Sequence, residues 1–101
     1  MIYQVQPSDT NPLLLISAKK EEIKIESLIV CNTDTSTREF YIFIDPSGSG
    51  SDIDNAIYYN STIAASTTID INFPLTLQRG ATLHVKASVA SKVTFTVSSV
   101  K

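Results

Sequence analysis

The sequence predicts an all-β fold: a single antiparallel β-sandwich, jelly-roll or Ig-like, with seven to eight strands. Three observations carry this expectation. The chain has 12 Ile, 7 Val and 11 Thr among its 101 residues, and β-branched side chains suit the pleated, half-buried surface of a sheet. Apolar and polar residues alternate at period two through much of the second half, as strands covered on one face require. Turn-forming residues recur at spacings of roughly 8–12 residues, the rhythm of short strands in a sandwich. One domain spanning residues 1–101 is expected, with residues 1–12 as an N-terminal arm or edge strand.

Taken in order, the first element is Leu13 to Ile16, a continuous apolar run after Pro12. Ser17 to Glu22 is the single helix candidate and is too short for more than a turn. Ile23 to Cys31 starts as an alternation at Ile23 and Ile25 and becomes continuous at Leu28-Ile29-Val30-Cys31. That change suggests a strand covered on one face at its start and on both at its end, across a bulge. Phe40 to Ile44 is apolar on both parities, so it lies centrally in its sheet or presents an apolar face to a partner. Ala56 to Tyr59 is a short strand with two adjacent tyrosines. Thr67 to Phe73 puts Ile69, Ile71 and Phe73 on one parity, and Pro74, which cannot donate to a ladder, ends it. Ala81 to Ser88 turns Leu83, Val85 and Ala87 inward, and Lys92 to Ser98 does the same with Val93, Phe95 and Val97. Loops are expected at Asn32 to Thr37, Pro46 to Asp54, Asn60 to Ser66, Gln78 to Gly80 and Val89 to Ser91.

Charge narrows the function classes. Eight Lys and Arg against ten Asp and Glu leave a net charge of -2, which gives no electrostatic grip on nucleic acid or an anionic membrane. No apolar run approaches the ~20 residues of a membrane span. Cys31 is the one cysteine, so no internal disulfide forms, and as the end of an apolar run it reads as inert core filler. His84 is the one histidine; it alternates outward beside Lys86 and reads as a surface residue without an orienting partner or nucleophile. Asp45, Asp52 and Asp54 flank a glycine-serine loop, but their spacing does not match a compact calcium loop. Gly48-Ser49-Gly50-Ser51 lacks the Gly-Lys-Ser/Thr of a phosphate loop. The expectation is therefore no catalytic, cofactor or metal site.

The aromatic residues carry more. Phe73 and Phe95 fall on inward parities. In Phe40 to Phe43 and in Tyr58-Tyr59, neighbours must point to opposite faces. Tyr41, Phe43, Tyr58 and Tyr59 are thus the candidate interface residues, with one of Tyr41 and Phe43 and one tyrosine of the pair in contact with a partner. A homo-oligomer is expected, with a trimer as first guess.

With the strands placed, the pattern resembles a group of small tailed-phage virion proteins. It comprises a strand ending Val-x-Asn (Leu28 to Asn32), a strand of alternating Ile (Tyr41 to Ile44), a Tyr-Tyr strand (Ala56 to Tyr59) and an Ala-x-x-Thr turn (Ala65 to Thr68). A Leu-x-x-Gly-Ala-x-Leu-x-Val strand (Leu77 to Val85) and a closing Val-x-Phe strand (Ala90 to Phe95) complete it. The match spans residues 23 to 97. Where the group ends in a short Gly-containing tail, this chain ends Ser98-Ser99-Val100-Lys101. The resemblance implies a non-enzymatic structural protein located in the virion, with other virion proteins as partners. Within the group the expected role is capsid decoration or cement. A neck, tail or baseplate accessory protein is the alternative, and a receptor- or glycan-binding adhesin using Tyr58, Tyr59 and Asn60 is the competing class.

Overall fold

A computed structural model describes residues 1–48, 55–72 and 74–100. Its strands are β1 (Ile2–Val5), β2 (Leu13–Ser17), β3 (Ile23–Asn32), β4 (Arg38–Asp45), β5 (Ala56–Ile63), β6 (Thr67–Ile71), β7 (Leu75–Leu77), β8 (Thr82–Ala87) and β9 (Val93–Ser99). All pairings are antiparallel. One sheet, here sheet A, runs β1-β9-β3-β6, with β7 also paired to β3; the other, sheet B, runs β2-β8-β4-β5.

The ninth strand comes from Pro74. β6 pairs with Leu28 to Asn32 of β3, and β7 pairs with Ile23 to Ile25 of the same strand. They form one sheet edge, interrupted where a proline has no N–H to give. Counted as one strand, they leave eight, which pair first with last, second with seventh, third with sixth, and fourth with fifth. That is a single long ribbon folded over on itself, the jelly roll. Ser17 to Glu22 forms no helical turn; its first residue closes β2 and the others link it to β3.

The core lies between the sheets and follows the parities read from the sequence. Leu83, Val85 and Ala87 of β8 and Val93, Phe95 and Val97 of β9 are fully buried. Phe95 reaches across to Phe40 in an edge-on contact, ring centroids 6.4 Å apart, and Phe40 stacks at 5.9 Å on Tyr58. Three rings thus join the sheets. Phe73 lies outside the described residues.

The change of pattern in β3 is a bulge. Its register against β9 shifts between Ile25 and Ser27, so that Ile25, Leu28 and Val30 all point inward. The second half of β3 is not covered on both faces, however. Sheet B covers one face of sheet A, and the other face carries Ile29 and Cys31, each half-buried by flanking strands. Cys31 is paired across to Thr68 and Thr94, and the Thr68 hydroxyl donates to its Sγ at 3.4 Å. The reading of Cys31 as core filler is therefore corrected. Its thiol should react with a water-soluble maleimide or disulfide reagent in native buffer, more slowly than a free thiol yet without unfolding. Labelling seen only above the denaturation midpoint would contradict the outward placement.

The expected loop at Asn60 to Ser66 is shorter than the sequence suggests, because β5 continues to Ile63. Asn60 sits at φ 53°, a left-handed conformation that asparagine tolerates, and the pairing of β4 with β5 slips between Phe40 and Ile42. The polar residues after Tyr59 thus extend a bulged strand. Gly48 (φ 74°) faces the Gly80 turn so closely that a Cβ would lie 2.5 Å from the Gly80 carbonyl oxygen. Glycine is required there, where the loop after β4 meets the turn before β8.

Candidate functional site

β4 runs between β8 and β5, so the apolar residues of both its parities have neighbours. Phe40 and Ile42 enter the core; Tyr41 and Phe43 stand on the outer face of sheet B, stacked with centroids 6.3 Å apart. Tyr59, on the outer side of β5, meets Tyr41 edge-on at 5.1 Å. The Tyr41 hydroxyl donates to Asn60 Oδ1 at 2.9 Å, and Lys86 Nζ lies 4.4 Å from the Tyr41 ring centroid. A cation in that position is attracted by the ring face.

The four candidate residues therefore separate. Tyr59 is 56% exposed, Tyr41 is half-buried, and Phe43 is only 5% exposed although it points outward. Tyr58 turns inward, where it packs against the core and stacks on Phe40. The surface is completed by Ile57, 43% exposed on the same side of β5 as Tyr59, and by Leu14 on β2, 48% exposed. The sequence alone did not single out Ile57 or Leu14; the period-two parity shared by Ile57 and Tyr59 is the signal that finds the first of them. The arrangement also bears on the sugar site imagined at Tyr58, Tyr59 and Asn60. Tyr58 faces away from it, and Tyr41 already bonds the Asn60 carbonyl oxygen.

His84 is half-buried, not a free surface residue as its outward parity suggested. It is paired with Leu14 on one side and Phe43 on the other, and its Nδ1 is buried with no hydrogen-bond partner among the described residues. Burial holds the imidazole below its ordinary value, opposed in part by the Asp45 carboxylate. A group whose folded value is depressed binds protons more readily when unfolded, so its contribution to stability falls on acidification. Stability should be full above about pH 6.5, the ordinary histidine value, and decline as the pH falls through that value toward the lower folded one. The denaturation midpoint of the wild type should drop between about pH 7 and 5.5, the window set by the histidine value, and that of His84→Gln should not. Equal slopes for the two proteins would remove His84 from the account. Asp34 is separated from this window: its hydrogen bond from Arg38, ahead of that from the Thr35 amide, lowers an already acidic carboxyl.

Asp45 is buried, and its Oδ1 accepts from both the amide and the hydroxyl of Ser47, the geometry of a turn. Asp52 and Asp54 lie outside the described residues. Among the described residues no three His, Cys, Asp or Glu side chains converge, and no helix is long and apolar enough to cross a membrane.

Comparison with known proteins gives a fold and no family. No protein-family model matches the chain, and no curated protein does. Among solved structures, a chain in the structure of infectious bursal disease virus, Gx strain, superposes with a TM-score of 0.51 at 13% identity. The match takes in 96% of this chain and 32% of the viral one. The likeness is one of fold. The present chain spans about a third of the length of that neighbour.

Proposed function

We propose that this jelly roll is a non-enzymatic structural component of a tailed-phage particle, acting as a capsid decoration or cement protein. The observation that carries the reading is the outer face of sheet B, where Tyr41, Tyr59, Ile57 and Leu14 form an apolar and aromatic surface. Interface centres are enriched in aromatic residues and depleted of charge. The virion pattern in the sequence supports the same reading, and so does a fold shared with a chain of a virus structure. Other virion proteins and copies of this chain are the partners that such a face fits.

The mechanism is linkage. A module that binds the assembled shell more tightly than the free subunits stabilises the shell by mass action. A specific contact of this kind buries about 1,600 Å² in total. Copy number on purified particles tests the role directly. Hundreds of copies, counted by quantitative mass spectrometry, are expected for a capsid protein; a dozen or fewer would move it to the neck, tail or baseplate, and none would end the virion reading.

A further inference from the structure

His84 stands at the middle of β8 on the outer face of sheet B, between Leu14 of β2 and Phe43 of β4. Its Nδ1 is buried with no hydrogen-bond partner among the described residues, and so is Oγ1 of Thr82, the next residue on that face. An orphaned buried N–H is rarer and costlier than an unused lone pair, so the neutral ring carries its proton on Nε2. The next proton goes to Nδ1, where it makes a charged donor without an acceptor. The groups around the ring do not supply one. On β8, Lys86 is a cation lying over the Tyr41 ring. On β4, the Tyr41 hydroxyl is turned to Asn60. Asp45 attracts the imidazolium without bonding Nδ1, and its Oδ1 accepts from the Ser47 amide and hydroxyl. β2, Leu-Leu-Leu-Ile-Ser, has no titratable group.

The side of the ring that yields is the β2 side. β4 is held between β8 and β5, whereas among the described residues β2 pairs with β8 alone. The register of β2 slips between Leu14 and Ile16, and the slip divides the strand. Beyond it the chain is anchored: Ile16 and Ala18 are buried, the Ala18 amide donates to the Ala81 carbonyl at 2.9 Å, and the Ala18 carbonyl accepts from the Gly80 amide at 2.7 Å. Before it, Leu13 and Leu14 are 37% and 48% exposed and follow Pro12, which has no N–H to bond. The first half of β2 thus lifts with little loss of apolar burial while the second half stays in place.

From this division we infer that Leu13 and Leu14 form an acid-released flap over His84: when the imidazole takes up a proton, this half of β2 leaves β8, hinged at Leu15, and Nδ1 reaches water. The sign follows from burial. With the flap closed the imidazole is held below its ordinary value, so the open form binds the proton more tightly, and opening grows as the pH falls through about 6.5. Such an opening is smaller than the overall unfolding described above, since Ile16 and the core stay in place. Leu14 belongs to the outer face of the proposed function, so acid withdraws one of its apolar members; the flap itself does not depend on that role.

Amide hydrogen exchange of the purified full chain, resolved by NMR, tests this without particles, so its result is independent of the copy-number measurement. Local opening exposes little surface, so the protection of Leu13 to Leu15 should be lower than that of Val93 to Ser99 in β9 and should not respond to dilute urea, whereas the β9 amides should. Between about pH 7 and about pH 5.5, protection of Leu13 to Leu15, corrected for the intrinsic exchange rate, should fall by up to about tenfold per pH unit, the ceiling for uptake of one proton. In His84→Gln that dependence should vanish. The reciprocal effect is read from the ring: Leu14→Ala, a change at an exposed residue, should move the NMR titration midpoint of His84 upward toward its ordinary value. Exchange of Leu13 to Leu15 that matches β9 in level and urea response, that ignores pH, or that keeps its pH dependence in His84→Gln would overturn the proposal. So would an unchanged His84 midpoint in Leu14→Ala.

Discussion

Phe95→Ala should lower the unfolding free energy by about 4 kcal/mol, from lost transfer energy together with the cavity left behind. Phe95 is 0% exposed at the middle of β9, and it is the sheet A member of the ring series that continues through Phe40 to Tyr58. Truncation removes the edge-on contact with Phe40 and loosens the seat of Tyr58 behind it. Against a total stability of about 5–15 kcal/mol for a single domain, such a loss brings the protein near its unfolding threshold at physiological temperature. The neighbouring Thr94→Ala lies on the open face, where its hydroxyl accepts one exposed hydrogen bond from Gln6, and should cost under about 1 kcal/mol. Urea denaturation of both variants compares them, and similar losses would contradict the burial described for β9.

Asn32 should be the most sensitive polar position. It is 1% exposed at the end of β3. Its Nδ2 donates to the carbonyl oxygens of Ser36, Ile63 and Ala64 at 3.0, 3.1 and 3.1 Å, and its Oδ1 accepts from the Asp34 amide at 3.0 Å. One side chain thus ties the β3–β4 loop to the point where the chain leaves sheet B for sheet A. Asn32→Ala should cost about 3 kcal/mol, because buried polar groups left unpaired cost about 1–3 kcal/mol each. Asn32→Asp is nearly the same shape but directs a carboxylate at three carbonyl oxygens, so it should cost more than alanine at neutral pH. That carboxyl would titrate above its ordinary value, so acidification should recover part of the loss as the protonated oxygen donates again. A neutral Asn32→Asp, measured by thermal unfolding at pH 7 and pH 4.5, would show that the network does not support the fold.

What the sequence made legible was whatever follows from parity. β8 and β9 alternate without interruption, so the inward residues were identified one by one, and Phe95 with them. The bulge in β3 was legible from the change between alternation at Ile23 and Ile25 and the continuous apolar run from Leu28, though not which parity of that run faces inward. Pro74 marked the break in an edge, though not that Leu75 to Leu77 resume pairing with the same strand. Cys31 was misplaced because a continuous apolar run in a central strand is shielded from both sides by its neighbours, even where no second sheet covers it. Asn32 was visible as part of a motif but not as a tie, since two of its four partners, Ile63 and Ala64, are distant in sequence. The outer face was half legible. Alternation required one of each aromatic pair to leave the core, but whether Phe43 or Tyr41 stayed accessible depended on β5 and β8 beside them. Polar residues at Asn60 to Thr62 resembled a turn because an exposed edge accepts the same composition.

The ribbon pairing also sets an order in time. β4 and β5 are neighbours in the chain, so their joining closes the shortest loop, while β1 and β9 bring together segments from opposite ends of the sequence. Closing a loop costs more entropy the longer it is, unless inner pairs have already shortened it. The pairs are nested: each that forms draws the next two strands together, from β4 with β5 outward to β1 with β9. β3 is a vulnerable member of this sequence, because it is the longest of the described strands, carries a continuous apolar run, and every strand that pairs with it, β6, β7 and β9, follows it in the chain. During synthesis its Leu28-Ile29-Val30 run stays without partners until β6 has left the ribosome, and on one side until β9 has. Folds dominated by such distant pairings are slow to form and pass through states open to aggregation. The cost of building the sandwich as a wrapped ribbon thus falls heavily on β3, a central strand of sheet A whose apolar run is covered on one side by β6 and only later, on the other, by β9.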